Sequence, residues 1–234
     1  MLFYHLNKLI EVIELGLIDY KNGWSIQELC YHNIVNLKKK GQKPTPNYLI
    51  FCEHFPVYTL GRSSPSEQLF VDSAILKAQT IPLYAVNRGG GITYHGPGQL
   101  VVYPIIDLEN FFTDIHRYLR LLESVVIDML AYFHISSTTI PGLTGVWLSE
   151  DPNNNLLDRK ICAMGVRVSR WVTMHGLALN VNNDLTPFNQ IIPCGLSKQV
   201  TSMQTELQRA LPLAVVADVL KAMLIKKLMD EGSL

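Results

Sequence analysis

The stretch KICAMGVRVSRWVTMHGLALN, residues 160–180, decides the fold because it reads as two strands joined by a tight turn. Apolar residues recur with a period of two on both sides of its centre, which is typical of β-strands. The pattern predicts strands over 159–168 and 173–182 that pair as a hairpin around a two-residue loop at Arg170 and Trp171.

One face of this predicted hairpin is almost without side chains. In that register Ala163 faces Ala178 and Gly165 faces Gly176, and side chains alternate between the two faces of a strand. The opposite face carries Met164, Val166, Leu177 and Leu179. A face without bulk indicates that something lies close to the backbone, either a narrow apolar ligand such as an alkyl chain or a closely packed helix. The pattern by itself does not decide between the two.

Helical spacing of apolar residues recurs outside the hairpin. Residues 114–134 and 212–229 each carry an apolar stripe, and Asp19 is suited to cap a helix that runs to about Lys40. Further strands are predicted at 2–16, 48–55, 57–60, 83–87 and 99–108.

This mixture of elements predicts an α+β fold, with a mixed, largely antiparallel central sheet flanked by helices. The length fits one domain over 1–234, and 200–234 is a candidate for a small C-terminal helical extension.

Charge and hydropathy exclude several classes of function. The chain of 234 residues has 20 Lys plus Arg and 20 Asp plus Glu, so its formal net charge is zero. Binding to nucleic acid depends on a basic excess and is not expected. The basic run Lys38-Lys39-Lys40 with Lys43 is either a solvated helix end or a landing patch for an acidic partner. No apolar run approaches the roughly 20 residues that span a bilayer, so no membrane association is expected.

The four cysteines, Cys30, Cys52, Cys162 and Cys194, include no CxxC pair of the kind that binds zinc or cycles between redox states. Nothing in their spacing resembles a disulfide framework, and the N-terminus lacks the features of a secretory signal. We therefore expect a cytoplasmic protein without a bound metal.

Residues 88–99, RGGGITYHGPGQ, form the least ordinary stretch of the chain. Five glycines and one proline among its twelve residues demand unusual backbone angles or a close approach to the backbone. The spacing matches neither the phosphate-binding pattern GxxxxGK(S/T) nor the dinucleotide-binding pattern GxGxxG. The residues alone leave two interpretations, a ligand-binding loop or a complicated turn.

This stretch resembles the signature of the lipoyl (octanoyl) transferase family, the LipB-type enzymes of lipoate assembly. Four further segments agree with that family in order and spacing: EHFPVYTLGR (53–62), KICAMGVRV (160–168), HGLALNV (175–181) and DLTPFNQIIPCG (184–195). The resemblance covers roughly residues 15–200. It implies the fold of the biotin and lipoate protein ligase catalytic domain, which agrees with the α+β prediction.

The resemblance also implies an activity and its partners. Enzymes of this family transfer an octanoyl group from octanoyl-acyl-carrier protein to a specific lysine of a lipoyl domain, as the first step of endogenous protein lipoylation. The implied acceptors are the lipoyl domains of 2-oxoacid dehydrogenase complexes and the glycine-cleavage H protein. Exchange between thioesters is nearly level in energy and amide formation from a thioester is downhill, so no nucleotide or other cofactor is expected.

Two residues match the catalytic positions of the family. Cys194 matches the nucleophile that carries the acyl group as a thioester, and Lys160 matches the lysine that activates it. Without the resemblance, Cys194 would be interpreted as a small buried hydrophobe and Lys160 as an exposed lysine at a strand end. A free thiol has a pKa of about 8.5, so a nearby ammonium raises its thiolate fraction at neutral pH.

The direction of Lys160 raises a geometric difficulty. In a regular strand its side chain would point with Cys162 and Met164, away from the small-residue face of the hairpin. Either the strand is irregular near Lys160 or the lysine reaches around the strand end.

The substrate contacts of the family carry over to three segments of this chain. They are Arg88, Gly89, Gly90, Gly91, Ile92, Thr93, Tyr94 and His95, then Ala163, Met164 and Gly165, then Gly176, Leu177 and Ala178. The last two segments coincide with the hairpin strands that carry the small residues. Backbone N–H groups near Cys194 or in 88–95 are candidates for stabilising the oxyanion of an acyl-transfer intermediate. His95 and His175 lack a metal-binding spacing such as HExxH, so structural or substrate-orienting roles are expected.

Two other functions fit parts of this pattern. An ATP-dependent lipoate or biotin protein ligase would share the fold and a glycine-rich loop but would need no nucleophilic cysteine. A non-catalytic protein that binds fatty acyl groups or lipoyl domains would form no covalent adduct with octanoyl-acyl-carrier protein.

Overall fold

The computed structural model describes residues 9–63, 81–151, 157–191 and 199–231. In these ranges the strands are β1 (Ile10–Ile18), β2 (Asn47–His54), β3 (Val57–Leu60), β4 (Leu83–Ala85), β5 (Ile92–His95), β6 (Gln99–Ile105), β7 (Thr138–Ile140), β8 (Leu143–Leu148), β9 (Arg159–Ser169), β10 (Val172–Asn180) and β11 (Gln199–Val200). The helices are α1 (Tyr20–Lys39), α2 (Ile115–Tyr132), α3 (Met203–Leu207) and α4 (Leu213–Asp230).

The main sheet has the strand order β1-β2-β6-β10-β9-β8-β7, and β11 joins it at the start of β9. The pairs β1–β2 and β9–β11 are parallel. The pairs β2–β6, β6–β10, β10–β9, β9–β8 and β8–β7 are antiparallel. The predicted fold class, a mixed and largely antiparallel sheet with flanking helices, is confirmed.

Helices cover both faces of the main sheet because its central strands are apolar on both sides. On one face, Leu49 and Phe51 of β2 share a hydrophobic cluster with α2 and α4. On the other face, Tyr48 and Ile50 of the same strand pack in a cluster with α1. This alternation along β2 gives three layers, helix on sheet on helix.

Helix α2 is stabilised by a capping residue at its start and by an apolar stripe on its buried face. Asp114 caps it, since its side-chain oxygen accepts a hydrogen bond from the Arg117 N–H at 3.0 Å. Leu122, Val126 and Met129 are fully buried at helical spacing. Helix α1 begins directly after Asp19 as predicted, but the Asp19 side chain makes no capping hydrogen bond.

The β9–β10 hairpin has the predicted register. Ala163 pairs with Ala178 and Gly165 pairs with Gly176. The two residues of its turn, Arg170 and Trp171, have φ angles of 55° and 62°. Positive φ at both central residues matches the twist of a two-residue hairpin, although glycine or asparagine is the usual choice there.

A second sheet of three strands, in the order β4-β3-β5, carries the glycine-rich loop. Strand β5 pairs antiparallel with β3, with Thr93 opposite Thr59. The sequence predicted one loop from 88 to 99, and the structure instead forms a strand at Ile92–His95 inside it. Its pairing partner β3 lies far away in the sequence, so local composition does not reveal this strand.

The predicted basic patch at the end of α1 is partly neutralised. Lys38 Nζ lies 2.6 Å from Asp107 Oδ1 and 3.3 Å from Glu109 Oε2, while Lys39 and Lys40 are exposed. The acidic partners of Lys38 therefore come from the same chain.

Helix α4 buries Val216, Leu220, Leu224 and Leu228 in the hydrophobic cluster that also contains α2. How the chain divides into domains stays a prediction. Among the helices in the described ranges, none has both the length and the apolar character needed to cross a bilayer.

Candidate active site

A cavity of about 460 Å³ lies between the β9–β10 hairpin and the glycine-rich loop. Strand β6 forms another part of its wall, and Ile115 and Leu119 at the start of α2 lie at its edge. Most of the predicted site residues line it: Arg88, Gly89, Gly90, Gly91, Ile92, Thr93, His95, Lys160, Ala163, Met164, Gly165, Gly176, Leu177 and Ala178. The volume falls in the range of about 300–1,000 Å³ that is typical of small-molecule sites.

Two predicted site residues are not part of this wall as described. Tyr94 is buried behind it, with its ring 5.5 Å from the ring of Tyr58 and 5.6 Å from that of Phe188. Cys194 belongs to 192–198, which lies outside the described residues.

The glycines of the hairpin allow other backbone segments of the protein to approach closely. A Cβ atom on Gly165 would lie 2.6 Å from the Gly89 carbonyl oxygen, and one on Gly176 would lie 2.2 Å from that of Val102. The Gly89 N–H donates to the Val166 carbonyl at 3.0 Å, which fixes the loop directly on β9. The close object predicted at Gly165 is therefore the glycine-rich loop, while the cavity opens beside it.

Arg88 fastens the loop to the second sheet. Its Nη2 donates to the Thr59 carbonyl oxygen at 2.7 Å and to Thr59 Oγ1 at 2.9 Å. Its Nη1 donates to the carbonyl oxygen of Gly89 at 3.0 Å. Gly61 leaves room for this arrangement, because a Cβ there would lie 2.3 Å from the Gly90 carbonyl oxygen.

His95 is held as a neutral imidazole inside a buried polar network. Burial, with a smaller contribution from the neighbouring His54, lowers its pKa to about 3. Gln99 uses its amide NH₂ to donate to the Tyr94 carbonyl and to Asn180 Oδ1, so its oxygen accepts from His95 Nδ1 at 2.8 Å. This network assigns the proton of His95 to Nδ1.

The same network extends to the start of α3. Asn180 Nδ2 donates to the carbonyl oxygen of Thr201 at 2.9 Å. Sequence reasoning did not single out Gln99 and Asn180. A polar residue at the end of an otherwise apolar strand is the signal that could have identified both.

His175 has a left-handed backbone within the paired strand β10, at φ 61°. Its N–H donates to Gln27 Oε1 at 3.1 Å, and its Nε2 donates to Asn87 Oδ1 at 2.9 Å, next to the loop. Burial, together with the charges of the nearby Arg88 and Arg167, lowers the pKa of His175 to about 3. Left-handed backbone in a non-glycine strand residue is strained, and such strain concentrates at functional sites.

Lys160 reaches the cavity through an irregularity in β9. Val146 of β8 pairs with Cys162, but the next residue, Trp147, pairs with Lys160, so Ile161 is an extra residue. This β-bulge turns Ile161 into the α2–α4 cluster beside Cys162 and reverses the face on which Lys160 projects. Of the two geometric possibilities raised by the sequence, the irregular strand is the one observed.

The Lys160 amine lies in a defined, nearly buried place, since the residue is 9% exposed. Its Nζ donates to the Thr144 carbonyl oxygen at 3.3 Å and lies 4.5 Å from the centre of the Trp147 ring. Strand β11 runs alongside, with Val200 paired to Lys160 and the Thr201 N–H donating to the Lys160 carbonyl at 2.9 Å. The chain that follows 192–198 is thus bound to the backbone of Lys160.

The three cysteines in the described ranges lie away from the cavity wall. Burial raises the pKa of Cys52 and of Cys162 far above the ordinary value, and burial also raises that of the half-buried Cys30. A thiol reacts as the thiolate, so none of these three is suited to be a nucleophile.

Comparison with known proteins places the chain among lipoate enzymes. A family model for the lipoyl protein ligase A/B catalytic domain matches residues 19–225. An octanoyltransferase of Christiangramia forsetii is 54% identical over 208 residues, which are 86% of this chain and 88% of the relative. An octanoyltransferase of Cytophaga hutchinsonii is 51% identical over 222 residues, 92% of this chain and 90% of the relative.

Among solved structures, the bi-partite lipoate protein ligase of Thermoplasma acidophilum superposes with a TM-score of 0.69 at 17% identity, over 94% of this chain and 83% of that one. At this identity the likeness shows a shared fold.

Proposed function

Because the chain belongs to the lipoyl (octanoyl) transferase family, within the lipoyl protein ligase A/B catalytic-domain family, and is an acyltransferase, we propose the reaction that it catalyses. It takes an octanoyl group from octanoyl-acyl-carrier protein, holds it as a thioester on Cys194, and passes it to a lysine of a lipoyl domain. The acceptors are lipoyl domains of 2-oxoacid dehydrogenase complexes and the glycine-cleavage H protein.

The first half-reaction loads the enzyme. The Cys194 thiolate attacks the carbonyl carbon of the carrier-bound thioester. The tetrahedral intermediate collapses, the bond to the carrier sulfur breaks, and the Lys160 ammonium gives its proton to the departing thiolate. The products are an acyl-enzyme with a neutral Lys160 and a free carrier thiol.

The second half-reaction restores the starting state. The neutral ε-amine of the acceptor lysine attacks the Cys194 thioester, and an amide forms as the carbon–sulfur bond breaks. Lys160 takes up the excess proton of the new amide nitrogen, which regenerates the thiolate and ammonium pair. No nucleotide enters either half.

The placement of Lys160 is the observation that carries this proposal. The bulge at Ile161 directs the amine to the cavity beside Ala163 and Gly165. Val200 is paired with Lys160, and Cys194 is only five positions before Gln199 in the sequence. Five residues span at most roughly 17 Å, so the chain length supports a meeting of the two side chains.

The cavity supports an acyl substrate. Ala163, Ala178 and Val101 supply apolar wall in the same cavity that Lys160 lines. The loop amides are candidates for the oxyanion contact, except that of Gly89, which already donates to Val166. A reactive cysteine needs a reducing compartment, and we propose the cytoplasm.

Intact mass spectrometry after mixing with octanoyl-acyl-carrier protein, without ATP, tests the covalent step. Wild type should gain the mass of one octanoyl group, and Cys194→Ala should gain none. Cys30→Ala, which removes a half-buried cysteine away from the cavity, is the matched control and should load like wild type. Loading that persists in Cys194→Ala would refute the thioester, and transfer that requires ATP would favour the ligase alternative.

A further inference from the structure

A buried carboxylate lies behind Lys160, on the far side of one peptide group. Glu123 is in the middle of α2, where the neighbouring positions Leu122 and Val126 are fully buried. Its side chain is only 1% exposed. Placing an ionised carboxylate in a hydrophobic layer is costly unless partners compensate, so this residue calls for a reason.

Glu123 and Lys160 bind opposite ends of the same peptide group. The Gly145 N–H donates to Glu123 Oε1 at 2.9 Å, and the Thr144 carbonyl oxygen accepts from Lys160 Nζ at 3.3 Å. These two groups are the N–H and C=O of the single peptide unit between Thr144 and Gly145. A continuous chain therefore runs from carboxylate through peptide to amine.

The backbone is shaped to allow this orientation. Gly145 has a φ of 117°, a conformation that favours glycine, and a Cβ there would lie 2.5 Å from the Cys162 carbonyl oxygen. The same hypothetical Cβ would lie 3.6 Å from Lys160 Cε. The glycine thus lets the peptide approach both β9 and the lysine side chain.

We propose that Glu123 is the positioning residue of Lys160, acting through the Thr144–Gly145 peptide to hold the ammonium at the cavity wall. A hydrogen bond from the N–H to a carboxylate polarises the peptide and makes its carbonyl oxygen a stronger acceptor. The carboxylate also adds an attractive field for a cation in a place that water reaches poorly. The functional meaning of this positioning rests on the proposed role of Lys160 in acyl transfer.

An exposed cation lies against the buried carboxylate. Burial raises the pKa of Glu123, and the Gly145 hydrogen bond and the Arg120 charge oppose that rise. Arg120 Nη1 lies 2.6 Å from Glu123 Oε2, and Arg120 itself is 54% exposed. Arg120 therefore links the buried relay to solvent.

Glu123→Gln separates positioning from simple structural support. The glutamine keeps the size of the side chain and an oxygen that accepts from Gly145, but it removes the charge. Because Arg120 is exposed and Lys160 keeps its hydrogen bond to the Thr144 carbonyl, no buried charge loses its only partner, and the variant should unfold at a temperature close to that of wild type. If Glu123 had only a structural role, the Glu123→Gln variant would instead have a lower unfolding temperature, and its cavity would be unchanged.

The direct readout is the rate at which an amine-reactive reagent modifies Lys160 at fixed pH, followed by peptide mass spectrometry. In Glu123→Gln this rate should rise about fivefold, since losing a charge-assisted interaction of about 1 kcal/mol releases the amine. Octanoyl transfer should fall by a similar factor or more. Asp128→Asn removes an exposed carboxylate from the same helix and should change neither rate.

The outcomes discriminate between the two proposals. Equal labelling of Lys160 in Glu123→Gln and Asp128→Asn would overturn the relay. Faster labelling with undiminished transfer would uphold the contact and refute its importance for transfer, whereas Lys160→Met tests the catalytic role of the lysine itself.

A surface variant covers the case in which Glu123→Gln does not fold. Arg120→Gln should move the acid-side loss of transfer to higher pH, because Glu123 then binds its proton more readily. An unchanged acid limb in Arg120→Gln would count against the relay.

Discussion

The two ends of strand β9 differ in how they pair with their neighbours and in how their side chains alternate. From Ala163 to Ser169 the strand pairs with β10 without interruption, and side chains alternate regularly. At Lys160 to Cys162 the pairing with β8 skips one residue, and the alternation is reversed. The regular end agrees with the prediction from sequence, while the bulged end contradicts the direction that a regular strand would give to Lys160.

This difference teaches where the fold departs from local pattern. The regular end supplies the wall of the cavity, which needs only small residues on one face. The bulged end supplies a charged side chain that must enter an apolar site from the edge of the same wall. One extra residue is a compact way to re-aim a side chain, and bulges are common beside active sites.

Removing the amine at the bulged end should have the largest effect. Lys160→Met keeps the length of the side chain and should lower octanoyl transfer by about 10²–10⁴-fold, the usual contribution of a general acid and base. A coupled assay with octanoyl-acyl-carrier protein and a lipoyl domain measures it. Lys39→Met, at an exposed lysine of α1, is the control. If Lys160→Met kept octanoyl transfer within twofold of the Lys39→Met control, the bulged end of β9 would have no catalytic role.

The regular end should respond to added bulk. Gly165→Ala places a methyl group where the Gly89 carbonyl oxygen lies 2.6 Å away, so the glycine-rich loop has to shift. Overpacking of this kind costs about 1–3 kcal/mol of unfolding free energy and should also lower transfer. Urea unfolding gives the stability.

The neighbouring position provides the matched comparison. Ala163→Gly removes a methyl group on the same face and should cost only about 0.5–1 kcal/mol, the usual penalty for glycine in a strand. If Gly165→Ala were no more destabilising than Ala163→Gly, the loop would not be fixed on β9 as described.

The partner strand β10 has its own irregularity at His175, and its effect should be the smallest. The pKa of His175 is lowered from 6.5 to about 3. Between these two pH values the unfolded chain binds a proton at His175 and the folded chain does not. The stabilising contribution is complete above pH 6.5 and is lost as pH falls from 6.5 towards 3.

Urea unfolding at pH 7 and pH 5.5 should reveal this loss of unfolding free energy. His175 should contribute a loss of about 1 kcal/mol over that interval, because one pKa unit corresponds to about 1.4 kcal/mol. His175→Gln should make the pH dependence shallower, whereas His116→Gln, at an exposed position, should not. The buried His95 titrates in the same range and keeps part of the dependence in both variants.

Elements with a strong local pattern were predictable. The stripe of α2 was placed at 114–134 and observed at Ile115–Tyr132, and that of α4 at 212–229 and observed at Leu213–Asp230. The hairpin register was predictable because two-residue loops leave few pairings that put small residues on one face. Strands β5, β7, β8 and β11 were missed. The pairings of β5 with β3 and of β11 with β9 join segments that are distant in sequence, and β7 and β11 have only three and two residues.

For the site, the sequence alone determined which side chains are small, which are polar and which segments resemble the octanoyltransferase motifs. The tertiary structure decided where they point. Whether Lys160 faces the cavity depends on a register shift between β8 and β9, and whether Glu123 supports it depends on a peptide from a third element. Such placements arise from contacts between distant segments, and the order of residues along one strand carries no record of them.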